Sequence, residues 1–248
     1  QEPVVTLLIR SLKSGGAEKQ SLLLARMLQP VYRVHLVIQK GSVIDEKYGK
    51  YIFENEINSI SLDGFLLLRI YRLFRFLRKS GTNIIISYLT SDNFLSGLAG
   101  KLAGVDLVVG GIRNERISLH KFLANRFFHR YFHDYTIFNN FTGYRKFIEK
   151  GFLESKSLVI HNGIDSIHGF RQRERKQEVS FITVARFVEQ KDHETSIRAF
   201  SELLSMLKNE NIEARLILVG FGPLQERIEE WAERYQVREL VGLKINPD

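Results

Sequence analysis

The chain has 248 residues, 44% hydrophobic and 26% charged, which supports a packed core and excludes a disordered chain. It contains no cysteine, so a disulfide framework, a thiolate metal site and a cysteine nucleophile are all excluded. A formal net charge of +8 calls for an anionic partner, whether nucleic acid, an anionic membrane face or a phosphorylated substrate, and charge alone does not choose among them.

The chain opens on Gln1-Glu2-Pro3, without an initiator Met, as a fragment would, and without the basic and apolar regions of a signal peptide. No apolar stretch nears the roughly 20 residues that span a bilayer, so any membrane contact is expected at the surface. Apolar, β-rich runs at 4–10, 33–38, 83–88, 107–110, 135–138 and 157–160 alternate with amphipathic stretches. That alternation predicts a parallel sheet wound with helices, its strands apolar throughout because both faces are covered. A Rossmann-like domain is expected over residues 1–162. Residues 161–177 break the rhythm with Asn162-Gly163, Gly169 and a basic, polar run at 171–177, and they predict a linker over 163–178. The alternation restarts with a strand at 179–184, a helix at 192–207, a strand at 214–219, a helix at 224–235 and a short strand near 239–241. A second α/β domain over 179–248 follows, with fewer strands than a complete doubly wound sheet, and it is expected to be truncated.

Four segments carry candidate chemistry. Ser14-Gly15-Gly16-Ala17-Glu18 opens a helix directly after the first strand. Paired glycines let backbone approach a ligand, and a helix N-terminus offers free N–H groups to an anion; an ordinary tight βα turn needs the same glycines. The spacing is not that of the dinucleotide fingerprint. In the second domain, Arg186 follows a buried strand and Lys191 lies five residues on, where parallel sheets bind ligands. A guanidinium gives bidentate donors to phosphate and an ammonium a mobile charge, although two solvated cations beside a loop would read the same way. His161-Asn162-Gly163-Ile164-Asp165 closes the first domain, and Gly220-Phe221-Gly222-Pro223 ends another strand of the second.

Two helices mix aromatic and basic residues. The first, at 65–79, carries Arg69, Arg72, Arg75 and Lys79, and the second, at 121–133, carries Phe122, Phe127, Phe128, Tyr131 and Phe132. Either covers the sheet with its basic side to water or lies on an anionic bilayer. The seven histidines show no metal-binding spacing, no G-x-S-x-G elbow accompanies a serine, and the scattered cations form no nucleic-acid recognition motif.

Taken together and in order, SGGAE, VIHNGID, VARFVEQKD and LILVGFGPLQERI resemble the retaining glycosyltransferases of family 4, over about residues 4–243. The resemblance implies the GT-B fold, with two Rossmann-like domains facing a cleft. It implies that Gly15, Gly16, Arg186 and Lys191 hold the diphosphate of a nucleoside-diphosphate sugar, with Gly220 and Gly222 also on the donor side. Val109-Gly110-Gly111-Ile112-Arg113-Asn114-Glu115 resembles the Arg-Asn of members acting on polysaccharide precursors. Arg113 is then a candidate for the diphosphate or for a phosphate on the acceptor; a helix-capping or surface arginine is the other reading. Many relatives carry a histidine after the strand that here precedes 87–93, and this chain has none there, so no catalytic histidine is carried over. The family's E-x7-E segment is expected beyond Leu243, and the chain ends at Asp248, so an incomplete enzyme that binds donor weakly is expected.

The resemblance implies metal-independent transfer, with retention, from a nucleoside-diphosphate sugar to a hydroxyl of a glycan or polyprenyl-linked glycan in surface-polysaccharide synthesis. It further implies a cytoplasmic, peripheral location on the inner membrane face, with no nucleic-acid partner. Two alternatives stay open: a GT-B sugar-nucleotide epimerase, and a non-catalytic, membrane-associated interaction module.

Overall fold

The computed structural model describes residues 2–13, 15–164, 178–207 and 212–245. The chain divides into two compact units, residues 1–168 and 169–248. Most of the expected linker at 163–178, including the basic run at 171–177, lies outside the described residues, as does Ser14.

In the first unit the apolar runs become strands β1 (Val4–Ile9), β2 (Arg33–Ile38), β3 (Ser59–Ser61), β4 (Ile84–Ser87), β5 (Leu107–Ile112), β6 (Tyr135–Phe138) and β7 (Ser157–Val159). All pair in parallel in the order β3-β2-β1-β4-β5-β6-β7. Every residue of β1 is buried, as a central strand covered on both faces requires. Six helices make the crossovers: α1 (Gly16–Leu28), α2 (Glu46–Glu54), α3 (Leu66–Ser80), α4 (Thr90–Ala103), α5 (Leu119–Tyr131) and α6 (Phe141–Glu149). Alternate residues of one strand serve opposite layers: Leu7 and Ile9 pack with Leu22 and Ala25 of α1, whereas Leu8 packs with Leu73 and Leu77 of α3 and Leu95 of α4. That two-sided covering makes the unit doubly wound. Helices α3 and α4 stop at Gly81 and Gly104, whose φ values of 64° and 74° suit glycine at a helix end.

The topology fixes where a ligand can enter. Connections leave β1 toward β2 on one side and β4 toward β5 on the other, so a crevice opens at the carboxyl ends of β1 and β4. Gly15, Tyr88 and Arg113 all follow strands at this edge.

The second unit is a parallel sheet in the order β10-β9-β8, formed by β8 (Glu178–Val184), β9 (Glu213–Gly220) and β10 (Val241–Ile245). Helices α7 (His193–Leu207) and α8 (Gln225–Arg234) share one core with the sheet, built on Phe187, Phe200, Leu218, Ile228 and Trp231. The last strand differs from the sequence expectation near 239–241: Arg238–Leu240 is a 3₁₀ turn and β10 begins at Val241. The polar Arg238 and Glu239 belong to the turn, and Val241 is the first residue there to be buried.

Candidate functional site

In the second unit, Arg186 leaves the carboxyl end of β8 and Lys191 ends the 3₁₀ turn Glu189–Lys191. Both side chains are exposed, and neither has a hydrogen bond or ion pair among the described residues. The backbone beneath them is held tightly. The amide of Phe187 donates to Phe221 O at 2.8 Å, and Leu224 N donates to Phe187 O at 3.1 Å. Buried His193 donates from Nε2 to Arg186 O at 3.0 Å and meets Phe187 edge to face at 5.2 Å. Gly220 and Gly222 are part of this clamp: a Cβ on the first would run into the carbonyl of Ala185, and one on the second into the carbonyl of Phe187. The two glycines thus let the strand end lie against the loop that carries Arg186. Asp192 takes a left-handed φ of 48° and accepts from Thr195 N at 3.4 Å at the start of α7. Two mobile cations on a fixed backbone make an arrangement that can grip an anion.

In the first unit, Gly15 is the extended N-cap residue of α1 (φ −165°, ψ 163°) and Gly16 its first helical residue. A Cβ at Gly16 would meet nothing within 4 Å, whereas one at Gly15 would meet the Glu18 carboxylate. The loop is laced to the segment after β2: Leu12 N donates to Val43 O at 3.0 Å, and the Tyr48 hydroxyl donates to Gly15 O at 3.3 Å. A helix start without a side-chain cap is a place for an anion, which here has to displace the Glu18 carboxylate from beside Gly15.

Arg113 is engaged within the same unit. Its guanidinium stacks over the Tyr88 ring at 4.7 Å and donates to Asn162 Oδ1 at 2.6 Å. Burial lowers the Arg113 pKa from its ordinary value, with Tyr88 acting in the opposite sense. Burial raises the pKa of Tyr88, whose hydroxyl has no hydrogen-bond partner among the described residues. Gln20 of α1 bonds Gly163 twice, giving to its carbonyl at 2.8 Å and accepting from its amide at 2.9 Å. The structure therefore joins three motifs far apart in sequence: the helix opened by the glycine pair, Arg113, and residues 161–164. Between them lies a cavity of about 410 Å³, lined by Tyr88, Arg113 and His161 among mostly apolar side chains.

Two buried polar clusters went unread in the sequence. Asp92 accepts from Gln39 Nε2 at 2.6 Å and from Leu89 N at 3.0 Å, and Gln39 in turn accepts from Arg69 at 2.9 Å. Burial pushes Asp92 up to about 8, against the downward pull of Leu89 N–H, Gln39, Ser91 and Arg10. An acid three residues after a helix N-cap signals capping, and nothing local announces that it is buried. Asn93 bonds both the amide and the carbonyl of Gly111, at 2.9 Å each, which fixes the end of β5 just before Arg113. Among the described residues, no group of three or more His, Asp or Glu could hold a metal ion.

Residues 166–244 match the family model described as glycosyl transferases group 1. No curated protein matches the sequence. Solved structures share the fold at low identity. HepE from Anabaena, solved with UDP, aligns over 98% of this chain and 69% of its own at 15% identity and a TM-score of 0.74. A glycosyltransferase from Rickettsia africae aligns over 100% and 69% at 13% identity and 0.73. A UDP-N-acetylglucosamine 2-epimerase from Listeria monocytogenes, itself assigned only provisionally, aligns over 100% and 70% at 12% identity and 0.62. The chain thus shares its fold with GT-B glycosyltransferases, and residues 166–244 match the group 1 glycosyl transferase model, which together support a glycosyltransferase.

Proposed function

We propose that the protein is a retaining, family 4-like glycosyltransferase. It moves a sugar from a nucleoside diphosphate to a hydroxyl of a glycan, or of a glycan on a polyprenyl carrier, at the inner face of the cytoplasmic membrane. The observation that carries the reading is the pair Arg186 and Lys191, two exposed cations without partners among the described residues, on a backbone held by His193, Gly220 and Gly222. HepE has been solved with UDP and with UDP-glucose, which supports a uridine diphosphate sugar as donor.

In the transfer, the bond from the anomeric carbon to the diphosphate oxygen breaks while the acceptor hydroxyl forms a bond to the same carbon. Negative charge builds on the leaving diphosphate as the sugar gains oxocarbenium character. Arg186 and Lys191 stabilise that charge without a metal, and the N–H groups that open α1 at Gly15 and Gly16 offer a second anion cradle. Retention places the new bond on the face the diphosphate leaves, so a departing phosphate oxygen is close enough to take the hydroxyl proton. Arg113, stacked on Tyr88 at a cavity that Tyr88 also lines, is assigned to a phosphate of the acceptor.

The test is a thermal-shift panel of sugar nucleotides on the full-length protein, followed by product analysis with the best binder, with and without acceptor glycans. Transfer with retained anomeric configuration supports the proposal. Conversion of the donor in the absence of acceptor would replace it with epimerisation, and no shift with any sugar nucleotide would leave only an interaction module.

A further inference from the structure

Helices α5 and α6 border an open groove of about 630 Å³. Phe122, Leu119 and Leu123 give it an apolar lining, and Arg116, Arg126, Lys146 and Lys150 bring four cations against one carboxylate, Glu115. None of the four forms an ion pair among the described residues. They are instead gathered together: Arg126 donates to the carbonyl of Lys150 at 3.3 Å, and the Lys150 ammonium sits 5.8 Å from the Phe122 ring centre. Like charges collected without a counter-ion repel one another, and an anionic partner removes that cost.

The outer row of α5 continues the groove. Leu119, Leu123, Phe127 and Tyr131 recur every four residues and so share one stripe, and they are 72%, 48%, 50% and 64% exposed. The opposite side of α5 is anchored, with Asn125 bonded to Asn93 at 2.8 Å and Phe128 against Phe94 at 5.0 Å. The helix LHKFLANRFFHRY contains no acid, and Arg126 and Arg130 flank the stripe. Apolar side chains that sink below headgroups, beside cations that meet phosphates, are what an interfacial helix presents to an anionic bilayer. Nucleic acid would use the cations and leave the apolar stripe in water.

The other aromatic-basic helix is built differently. On α3, Arg69 binds Gln39, Arg72 binds the carbonyls of Leu62 and Asp63, and Arg75 and Arg78 lie over Tyr71 and Phe74 of their own helix. Those cations already have partners inside the unit. No helix among the described residues is long and apolar enough to cross a membrane, so contact through α5 is made from the surface.

We infer that the α5–α6 face docks on an anionic phospholipid bilayer, with Leu119, Leu123, Phe127 and Tyr131 entering the interface and Arg116, Arg126, Lys146 and Lys150 meeting lipid phosphates. This deepens the proposal of a lipid-linked acceptor and rests on that reading only for the acceptor's identity.

The test is co-sedimentation with vesicles of phosphatidylcholine alone and of equal parts phosphatidylcholine and phosphatidylglycerol. Binding is expected to the mixed vesicles and to weaken with salt. Changing Arg126→Gln together with Lys150→Gln should lower partitioning about 25-fold, roughly fivefold per cation. Leu119→Ser, at a position 72% exposed in the first turn of α5, should lower it while leaving the melting temperature unchanged. The charge-matched pair Lys50→Gln with Arg198→Gln, on other surfaces, should bind as the parent does. Equal binding to neutral vesicles, equal loss in the charge-matched pair, or sedimentation without vesicles through self-association would each overturn the inference. The UDP-induced melting shift, measured on the same variants, reads the donor site separately, so failure of either reading is seen on its own.

Discussion

Gly16→Ala separates the two readings of the glycine pair, anion cradle or plain turn. A Cβ at Gly16 points into space with no atom within 4 Å, and the residue is the first of α1. The fold should therefore accept the methyl, and alanine's lower entropy cost in a helix should add up to about 1 kcal/mol of stability. A diphosphate held at the helix start would lose close approach to the N–H groups behind that methyl. One charge-assisted hydrogen bond contributes about 1.5–3 kcal/mol, so affinity for UDP should fall about 10- to 100-fold. Thermal melting followed by circular dichroism reads the first effect, and titration calorimetry with UDP reads the second. Unchanged affinity alongside an unchanged or raised melting temperature would refute the cradle and leave a turn. A fall in melting temperature would contradict the open space itself.

Three further outcomes follow from the geometry. Gly220→Ala, whose methyl meets the backbone of Ala185, should destabilise the second unit by about 1–3 kcal/mol and displace the Arg186 loop; a melting temperature equal to the parent's would contradict the clamp. Tyr88→Phe removes a buried hydroxyl that has no partner among the described residues, so stability should hold or rise by about 1 kcal/mol, and a loss above that would mean the hydroxyl is satisfied. Burial, chiefly, pushes His129 and His133 each down to about 4. Folding then keeps both neutral while the unfolded chain protonates near its usual 6.5. Their contribution is complete above about pH 6.5 and is lost as pH falls toward 4, at up to about 1.4 kcal/mol per pH unit for each. Urea unfolding across that range should show the slope, and His129→Gln should roughly halve it, His133 supplying the rest.

Much of the first unit was legible because its strands are apolar on both faces and its crossovers carry clear turn signals. Strand β3 was not, because Ser59–Ser61 is three residues long and offers no pattern to count. Arg113 and Asn162 were read as parts of separate motifs, 49 residues apart. Only a parallel sheet, which sends the ends of β5 and β7 to one edge, brings them to 2.6 Å. His129 and His133, spaced four apart, carried no functional signal in the sequence. In the fold His129 accepts from Leu153 N at 2.8 Å and pairs with Thr136 at 2.9 Å, which is a structural use. Arg186 and Lys191 stood out as cations at a strand end, but the clamp beneath them depends on His193 and on two glycines of the next strand. Periodicity reports which residues face a core, and it is silent on which loop will lie against which.

The central claim is that Arg186 and Lys191 hold the diphosphate of a sugar nucleotide, and titration calorimetry with UDP and with uridine tests it most directly. UDP should bind far more tightly than uridine, and Arg186→Ala should weaken UDP about 10- to 100-fold through the loss of charge-assisted hydrogen bonds, with Arg198→Ala unchanged. UDP bound as tightly by the Arg186→Ala variant as by the parent, or no more tightly than uridine by the parent, would contradict it.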